Sequence, residues 1–319
     1  MLRSLLIYLS KALWAQNLVT RWSLGWRMAS RFIAGTYLED ALRVVKELNA
    51  RNINATLDHL GEHTSTPEEA QQATEEILTT LDEIGRSDVR ANVSIKLTQI
   101  GLSLDESVCV QNLERILARA KANDVFIRID MEDTPYTDRT IELLHRMREK
   151  GYLGVGTVLQ SCLYRTEADA RRLMDDKIAI RLVKGAYQEP ADKAFPKKAD
   201  VDANYDLLTK IMIDAALAAG CPKLSADGRF PPIPAFGTHD EKRITFARQY
   251  AEKLGLPKDA VEFQMLYGIR RDLQERLAAD GYPVRVYVPF GTHWYPYYVR
   301  RLAERPANLW FIVSNFFRK

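Results

Sequence analysis

The sequence has few of the residues from which disulfide frameworks and zinc sites are built. Its three cysteines, Cys109, Cys162 and Cys221, are odd in number and far apart, and five histidines are spread over 319 residues. A small disulfide-linked domain needs paired cysteines, and a structural zinc site needs clustered thiolates or imidazoles. We therefore predict neither, and we expect no bound metal and a reducing, cytoplasmic environment.

A strong charge of one sign and long apolar runs are also lacking. The 45 basic and 42 acidic side chains leave a formal charge of only +3, which argues against nucleic acid as a partner. The apolar run from Leu5 to Leu9 ends close to Lys11 and is too short for a secretory signal or a membrane span. Residues 1–34 mix apolar and basic side chains, so we expect an amphipathic helical extension that packs on the protein body. Peripheral contact of this extension with the inner face of a membrane is the alternative.

Short apolar runs recur along the chain, and most are followed by a segment with helical spacing. Each run is rich in strand-forming residues and ends near a glycine or a polar side chain. Alternation of strand and helix favours parallel strands joined by crossover helices, and eight such units close a (β/α)8 barrel of the TIM type. The predicted strands lie within residues 53–60, 90–98, 125–131, 153–161, 178–185, 232–239, 261–268 and 284–291.

The helical segments carry start signals, and no linker divides the chain. In one segment Thr66 is a predicted N-cap, Pro67 stands at the first helical position and Glu69 follows three residues after the cap. The rival architecture, an open doubly wound sheet, should carry a glycine fingerprint after its first strand, where the sequence is LDHLGEHTS instead. We expect a helical extension over 1–34, one α/β barrel domain over 35–319 and a short C-terminal tail that does not fit the repeat.

Many of the residues at the predicted C-terminal ends of the strands, where barrels of this kind place their chemistry, are polar. Paired carboxylates such as Asp130 with Glu62 or Glu132 would suit hydrolysis of a glycosidic bond. Lysine and arginine side chains close by favour recognition of an anion and argue against a hard metal ion. The positions at this rim are Asp58, Glu62, Lys96, Asp130, Glu132, Gln160, Arg181, Lys184, Tyr187, Thr238, His239, Leu266, Tyr267, Tyr287 and His293.

The segment WYPYYVRRLAER follows the last predicted strand. Its residues Tyr297, Arg300, Arg301 and Glu304 stand at i, i+3, i+4 and i+7, so they share one face of a helix. Two arginines beside an aromatic ring can grip a carboxylate, because each guanidinium offers a planar fork of donors. The alternative is a solvated helix in which Arg300 pairs with Glu304. The preceding strand end VYVPFG favours the carboxylate clamp, since the helix would then start at the barrel mouth.

Taken together, these segments resemble the proline dehydrogenase family in its short, monofunctional bacterial form. The resemblance runs from about residue 53 to 305 and rests on several motifs in a shared order. It implies FAD-dependent oxidation of L-proline to Δ1-pyrroline-5-carboxylate, with hydride transfer from proline C5 to flavin N5 and a quinone-type membrane acceptor for the electrons. The motifs are SIKLT around Lys96, IDME around Asp130, IRLVKGAY at 180–187, GTH at 237–239, EFQMLYG at 262–268, RVYVPFGTH at 285–293 and YYVRRLAE at 297–304.

The resemblance also implies roles for single residues. Asp130, Arg181 and Tyr287 would be the catalytic residues, with Tyr287 close to Asp130 and Arg181 approaching flavin N5. The substrate carboxylate would be held by Arg300, Arg301 and Lys96, and the proline ring would be walled by Tyr287, Tyr297 and Leu266. Glu62 would be a gate residue that pairs with Arg300 in the absence of substrate. The FAD contacts would be Met131, Gln160, Arg181, Val183, Lys184, Gly185, Ala186, Tyr187, Lys198, Thr238 and His239.

Two other classes of function remain open at this point. One is a flavin-dependent barrel that oxidises a different small amine or amino acid. The other is a non-redox lyase or hydrolase that acts on an anionic metabolite. A purely binding or scaffold role accounts least well for so many convergent polar groups at one rim.

Overall fold

Eight parallel strands form a closed barrel in the computed structural model, which describes residues 23–61 and 64–304. Each strand pairs with the next along the chain, and β8 pairs with β1. Every observed strand lies within its predicted segment, so the TIM-type barrel is confirmed. The strands are β1 (Asn54–His59), β2 (Ala91–Ile95), β3 (Ile127–Ile129), β4 (Val155–Gln160), β5 (Ile180–Val183), β6 (Pro234–Gly237), β7 (Glu262–Leu266) and β8 (Val284–Phe290).

Helices surround the barrel and connect its strands. Within the described residues two of them precede the first strand, one follows the last, and a short 3-10 turn (Lys258–Ala260) precedes β7. The α-helices are α1 (Ser23–Ala29), α2 (Leu38–Asn49), α3 (Pro67–Arg86), α4 (Glu106–Ala122), α5 (Thr134–Glu149), α6 (Thr166–Asp175), α7 (Lys198–Ala218), α8 (Glu241–Lys253), α9 (Arg271–Ala279) and α10 (Trp294–Glu304).

Helix α3 begins as the sequence predicts. The Thr66 side chain accepts a hydrogen bond from the Glu69 backbone N–H at 3.2 Å, and Pro67 is the first helical residue. The Glu69 carboxylate accepts from the backbone N–H of Ser65 at 2.7 Å, one residue before the cap. Two backbone donors at the helix entrance are thereby satisfied, which holds the chain that leads from the β1 end of the barrel into α3.

Polar and charged side chains cross the interior of the barrel, whereas the apolar core lies between the strands and the helices. Tyr287 of β8, for example, bonds to Asp130 at the end of β3, and these two strands are not neighbours in the sheet. Apolar residues on the same strands, such as Leu57, Ile95 and Val286, are fully buried in the surrounding core. The barrel interior therefore carries chemistry, and the layer outside it carries most of the hydrophobic stabilisation.

A smaller aromatic cluster joins α1 to α10. The rings of Trp26 and Trp294 meet edge to face with centroids 5.5 Å apart, and Phe32 lies beside Tyr298 at 6.4 Å. This part of the N-terminal extension packs on the protein body, as expected. Residues 1–22 of the extension and the tail at 305–319 lie outside the described residues. Within 23–61 and 64–304, no helix is both long and apolar enough to cross a membrane.

Candidate active site

Asp130 is the centre of a hydrogen-bond network at the C-terminal end of the barrel. Its Oδ1 accepts from the Ser94 hydroxyl at 2.6 Å and from Arg181 Nη1 at 2.9 Å. Its Oδ2 accepts from the Tyr287 hydroxyl at 2.7 Å. The sequence-based expectation that Tyr287 lies close to Asp130 is confirmed. Asp130, Arg181 and Tyr287 form one connected group contributed by three strands.

Lys96 completes this group from the end of β2. Its Nζ lies 3.0 Å from Asp58 Oδ1, 3.3 Å from the Tyr287 hydroxyl and 3.5 Å from Asp130 Oδ2. Asp58 is almost fully buried, at 1% exposure. Sequence reasoning placed Asp58 at the rim but gave it no role. Its position at the end of β1, level with the other rim residues, was the available signal.

Burial and neighbouring charges separate the protonation behaviour of these groups. Burial acts to raise the pKa of Asp130, but Lys96, Arg181 and the two hydroxyl donors outweigh it, so this pKa is lowered. Burial raises the pKa of Asp58, with Lys96 acting in the opposite direction. Burial, followed by the charge of Asp130, raises the pKa of Tyr287 well above its ordinary value. Asp130 is therefore an anion at neutral pH, and Tyr287 is a protonated donor.

Arg181 is fixed on two sides. Its Nε donates to Gln264 Oε1 and its Nη1 donates to Asp130, while its guanidinium carbon lies 5.3 Å from the centre of the Tyr287 ring. Its Nη2 is buried and has no hydrogen-bond partner among the described residues. Gln264 was not predicted as a site residue, although it lies within the motif EFQMLYG. Nη2 of Arg181 is therefore a donor that a ligand can use, since no described residue accepts a hydrogen bond from it.

Lys184, after β5, is held by two carboxylates that the sequence did not associate with it. Its Nζ lies 2.5 Å from Asp202 Oδ1 on α7 and 2.6 Å from Asp240 Oδ2, the N-cap of α8. Burial acts to raise the pKa of Asp202 and of Asp240, but the hydrogen bond and charge of Lys184, together with other nearby donors and cations, outweigh it, so each pKa is lowered. Lys198 also contacts Asp202 and is largely exposed. A cationic cluster balanced by acids therefore lies on the β5 side of the rim.

The backbone at Gly185 adopts a conformation that favours glycine. Its φ is +117°, and a Cβ there would stand 2.3 Å from Cys162 Sγ and 3.3 Å from Gln160 Oε1. Gly185 and Ala186 are exposed, whereas Gln160 is buried and donates to the backbone oxygen of Glu132. A glycine is therefore required at this position, because Cys162 and Gln160 fill the space that a Cβ would occupy.

Thr238 and His239 lie beside the ends of β6 and β7. The Thr238 hydroxyl accepts from the Asp240 backbone N–H at 3.1 Å, and His239 Nε2 accepts from the Leu266 backbone N–H at 3.1 Å. Because Nε2 of His239 accepts this hydrogen bond, the proton of the imidazole lies on Nδ1. The predicted cofactor contacts Met131, Val183 and Tyr187 stand at the ends of β3 and β5, with Met131 buried and the other two half-buried.

Helix α10 begins four residues after β8, and its side chains from Trp294 to Arg301 are buried or half-buried. Tyr297 is buried at 7% exposure, and the Arg301 guanidinium carbon lies 5.3 Å from the centre of its ring. Arg300 and Arg301 are both half-buried. Glu62, the predicted gate residue, lies outside the described residues.

The three cysteines are free thiols, and two of them have raised pKa values. None is in a disulfide, and burial raises the pKa of Cys109 to about 12 and that of Cys162 to about 11. Thiolates, which are the reactive species, are therefore scarce at both positions near neutral pH. Over residues 23–61 and 64–304, no three histidine, cysteine, aspartate or glutamate side chains cluster so as to hold a metal ion.

Comparison with known proteins gives one consistent result. The family model described as "Proline dehydrogenase" matches residues 41–313. Proline dehydrogenase 1 of Bacillus subtilis (strain 168) is 40% identical over 291 residues, which are 91% of this chain and 91% of that protein. Proline dehydrogenase 2 of the same strain is 37% identical over 99% of each chain. Proline dehydrogenase of Deinococcus radiodurans is 41% identical over 92% of this chain and 91% of that protein.

Solved structures agree on the fold. The chain matches proline utilization A from Bdellovibrio bacteriovorus, inactivated by N-propargylglycine, with a TM-score of 0.79 and 26% identity over 92% of this chain. A variant of proline utilization A from Bradyrhizobium japonicum matches with a TM-score of 0.72 at 23% identity. The chain spans only 34% and 33% of those two longer proteins. The likeness therefore concerns about a third of each of those proteins.

Proposed function

This chain belongs to the proline dehydrogenase family, and we propose that its barrel rim holds FAD and L-proline in contact for hydride transfer from proline C5 to flavin N5. It is an enzyme that oxidises proline, in the first step of proline catabolism. The proposed product is Δ1-pyrroline-5-carboxylate. The observation that carries the proposal is Arg181, a buried cation fixed on two sides whose Nη2 is left for a ligand.

The residues of the rim suit a flavin. FAD, when bound, supplies the two-electron redox chemistry. Arg181 offers its buried Nη2 to the ring, and its positive charge favours a ring that has gained negative charge. Gly185 is exposed at the rim, and Lys184 beside it is a cation suited to the phosphates of FAD. The remaining proposed contacts are Met131, Gln160, Val183, Ala186, Tyr187, Lys198, Thr238 and His239.

The substrate carboxylate needs cations, and the barrel mouth has them. Lys96 is held at the rim by Asp58, and Arg300 and Arg301 stand on the helix that follows β8. We assign these three cations to the proline carboxylate, with Glu62 as the partner of Arg300 in the absence of substrate. Fixing the carboxylate places the ring at one depth in the barrel, and hydride transfer depends on such near-contact geometry.

The ring of proline needs an apolar wall that excludes water. Tyr297 is a buried residue of α10 in the cluster that joins this helix to α1, Leu266 ends β7, and Tyr287 presents its ring face to Arg181. Tyr287 stays protonated because its pKa is raised by burial and by Asp130, so it acts as a hydrogen-bond donor rather than as a base. Asp130 holds Arg181, Tyr287 and Lys96 in their relative positions.

The electrons must leave after proline is oxidised, and we propose a quinone or another membrane electron acceptor. Support comes from residues 1–34, which combine apolar and basic side chains as membrane-surface helices do. On this proposal the enzyme works in the cytoplasm, with peripheral contact at the inner face of the membrane.

An absorbance spectrum of the purified protein between about 300 and 550 nm tests the proposal, recorded before and after anaerobic addition of L-proline. We expect flavin bands that bleach with proline. Bands that persist with proline would remove proline as the reductant of this flavin. A protein that stays colourless after reconstitution with FAD would remove the cofactor assignment.

A further inference from the structure

Buried polar side chains form a continuous chain from the N-terminal half of β7 to Arg181. Arg285 Nε lies 2.9 and 3.1 Å from the two carboxylate oxygens of Glu262. Gln264 Nε2 donates to Glu262 Oε1, and Gln264 Oε1 accepts from Arg181 Nε, each at 2.5 Å. Asp130 then accepts from Arg181 Nη1 at 2.9 Å. Hydrogen bonds thus link the buried ion pair in the barrel interior to Arg181 and Asp130 at the rim.

Gln264 is suited to its place in this chain by having one donor and one acceptor on the same side chain. Its carbonyl oxygen faces the Arg181 donor and its amide group faces the Glu262 acceptor, which determines its orientation. A glutamate at position 264 would place its carboxylate beside that of Glu262, and the two negative charges would repel each other. A methionine would leave the buried Nε donor of Arg181 unsatisfied, whereas Glu262 Oε1 would keep its bond from Arg285.

The ion pair between Glu262 and Arg285 lies at the end of this hydrogen-bonded series that is farthest from Asp130. Glu262 and Arg285 are both fully buried, and Arg285 also donates to the backbone oxygens of Ala55 at 2.8 Å and Gly228 at 2.7 Å. The negative charge of Glu262 is therefore engaged by Arg285. Gln264 stands between Glu262 and Arg181 as a neutral spacer.

We propose that Gln264 is a positioning residue that aims Arg181 at the flavin and keeps the Glu262 carboxylate away from it, and so raises the reduction potential of the flavin. This inference rests on the proposed function, because it requires FAD over Arg181. Reduction adds negative charge to the flavin, so a cation nearby stabilises the reduced state, and a carboxylate beside that cation weakens the effect.

The geometry of Arg181 shows how the amide acts. Nε is bound to Gln264 and Nη1 is bound to Asp130, and these two bonds fix the plane of the guanidinium and the direction of Nη2. Without the bond to Gln264, the guanidinium of Arg181 can rotate toward Asp130 and away from the ring of the bound flavin. Gln264 does not need to touch the flavin to exert this effect.

The test compares holoenzyme variants by anaerobic equilibration of the bound flavin with a reference redox dye. In Gln264→Glu we expect the equilibrium constant for two-electron flavin reduction to fall by about tenfold or more, because a second carboxylate partly neutralises Arg181. In Gln264→Met we expect a smaller fall, because only the aim of Arg181 is lost. The double variant Glu262→Gln with Gln264→Glu keeps the number of buried charges and moves the carboxylate beside Arg181. Its equilibrium constant for flavin reduction should fall as far as that of Gln264→Glu.

Asn112→Leu is the matched control. Asn112 is a buried amide on α4 that donates to the Ile100 backbone oxygen at 3.1 Å, outside this chain of side chains. Asn112→Leu measures the general effect of removing a buried amide. We expect its equilibrium constant for flavin reduction to equal that of the wild type.

The possible results separate the two proposals. A wild-type equilibrium constant in Gln264→Glu and in the double variant, with FAD bound, would overturn the role of Gln264 while leaving FAD and proline in place. If Gln264→Glu does not fold, Gln264→Met decides, because a wild-type equilibrium constant in that variant would also overturn the role of Gln264. A wild-type protein that takes up no FAD would overturn the proposed function, and this inference with it.

Discussion

At the scale of single residues, the site consists of cations and carboxylates whose pairing determines what each can do. Asp130 is shared by Ser94, Arg181 and Tyr287, and Lys96 lies between Asp58 and Tyr287. Each partner limits the freedom of the others, so the rim is preorganised before a ligand binds. Preorganised charges stabilise developing charge without reorganisation during the reaction.

Arg300→Met tests the carboxylate clamp. Removing one cation from a charge-paired carboxylate costs about 2–5 kcal/mol, so we expect KM for L-proline to rise on the order of a hundredfold. Steady-state kinetics would measure this rise, with Arg86→Met as the control, because Arg86 is an exposed residue that pairs with Glu83 in α3. An unchanged KM in Arg300→Met would place Arg300 outside the substrate site.

Tyr287→Phe tests the protonation state inferred for the tyrosine. Because the pKa of Tyr287 is raised well above its ordinary value, the hydroxyl stays protonated across the assay range. We therefore expect the basic limb of the kcat/KM profile to be the same in the variant. We also expect stability to fall by about 1–3 kcal/mol, since Asp130 loses a buried donor. A basic limb present in the wild type and lost in Tyr287→Phe would show that Tyr287 ionises during turnover.

At the scale of helices and strands, regular alternation was sufficient to predict the barrel and the segments that hold its strands. The cap at Thr66 was also predictable, because capping depends on a few neighbouring residues. The partners of Lys184 were not predictable: Asp202 and Asp240 are 18 and 56 residues away and belong to two different helices. The role of Gln264 was equally hidden, since alternation along β7 does not show which side chains its inward residues will meet.

Thr66→Ala tests the start of α3. The variant loses the side-chain acceptor for the Glu69 N–H, so we expect the free energy of unfolding to fall by about 0.5–2 kcal/mol, measured by urea denaturation. Thr79→Ala is the control within the same helix, because its hydroxyl bonds to the Glu75 oxygen and caps nothing. Equal effects of the two variants would contradict a specific capping role.

At the scale of the whole molecule, the barrel interior carries charges that most protein cores exclude. Burial, followed by repulsion from Arg181, lowers the pKa of Arg128 well below its ordinary value, so each interior cation depends on the carboxylates around it. Among the described residues, four interior cations are matched by four interior carboxylates, so the interior is close to neutral before an anion binds. These residues are Lys96, Arg128, Arg181 and Arg285 against Asp58, Asp130, Glu132 and Glu262.

Arg285→Met tests how far the fold depends on this interior. Arg285 joins β8 to Glu262 of β7 and to the backbone of β1, and its removal leaves the Glu262 charge buried without its ion-pair partner. We expect a loss of about 3–5 kcal/mol in the free energy of unfolding. Arg43→Met, at an exposed arginine on α2, should change it by less than about 1 kcal/mol. A loss in Arg285→Met as small as that of the control would mean that the interior pair contributes little.

The pairing of β8 with β1 has a consequence for biosynthesis. Arg285 reaches the backbone of Ala55 across 230 positions of sequence, so the contact that closes the barrel joins an early segment to a late one. At translation rates of about 5–20 residues per second, β1 waits roughly 10–50 s on the ribosome before β8 is made. During that interval β1 has one unprotected edge, and a nascent chain with an open parallel edge is where we expect chaperones to act.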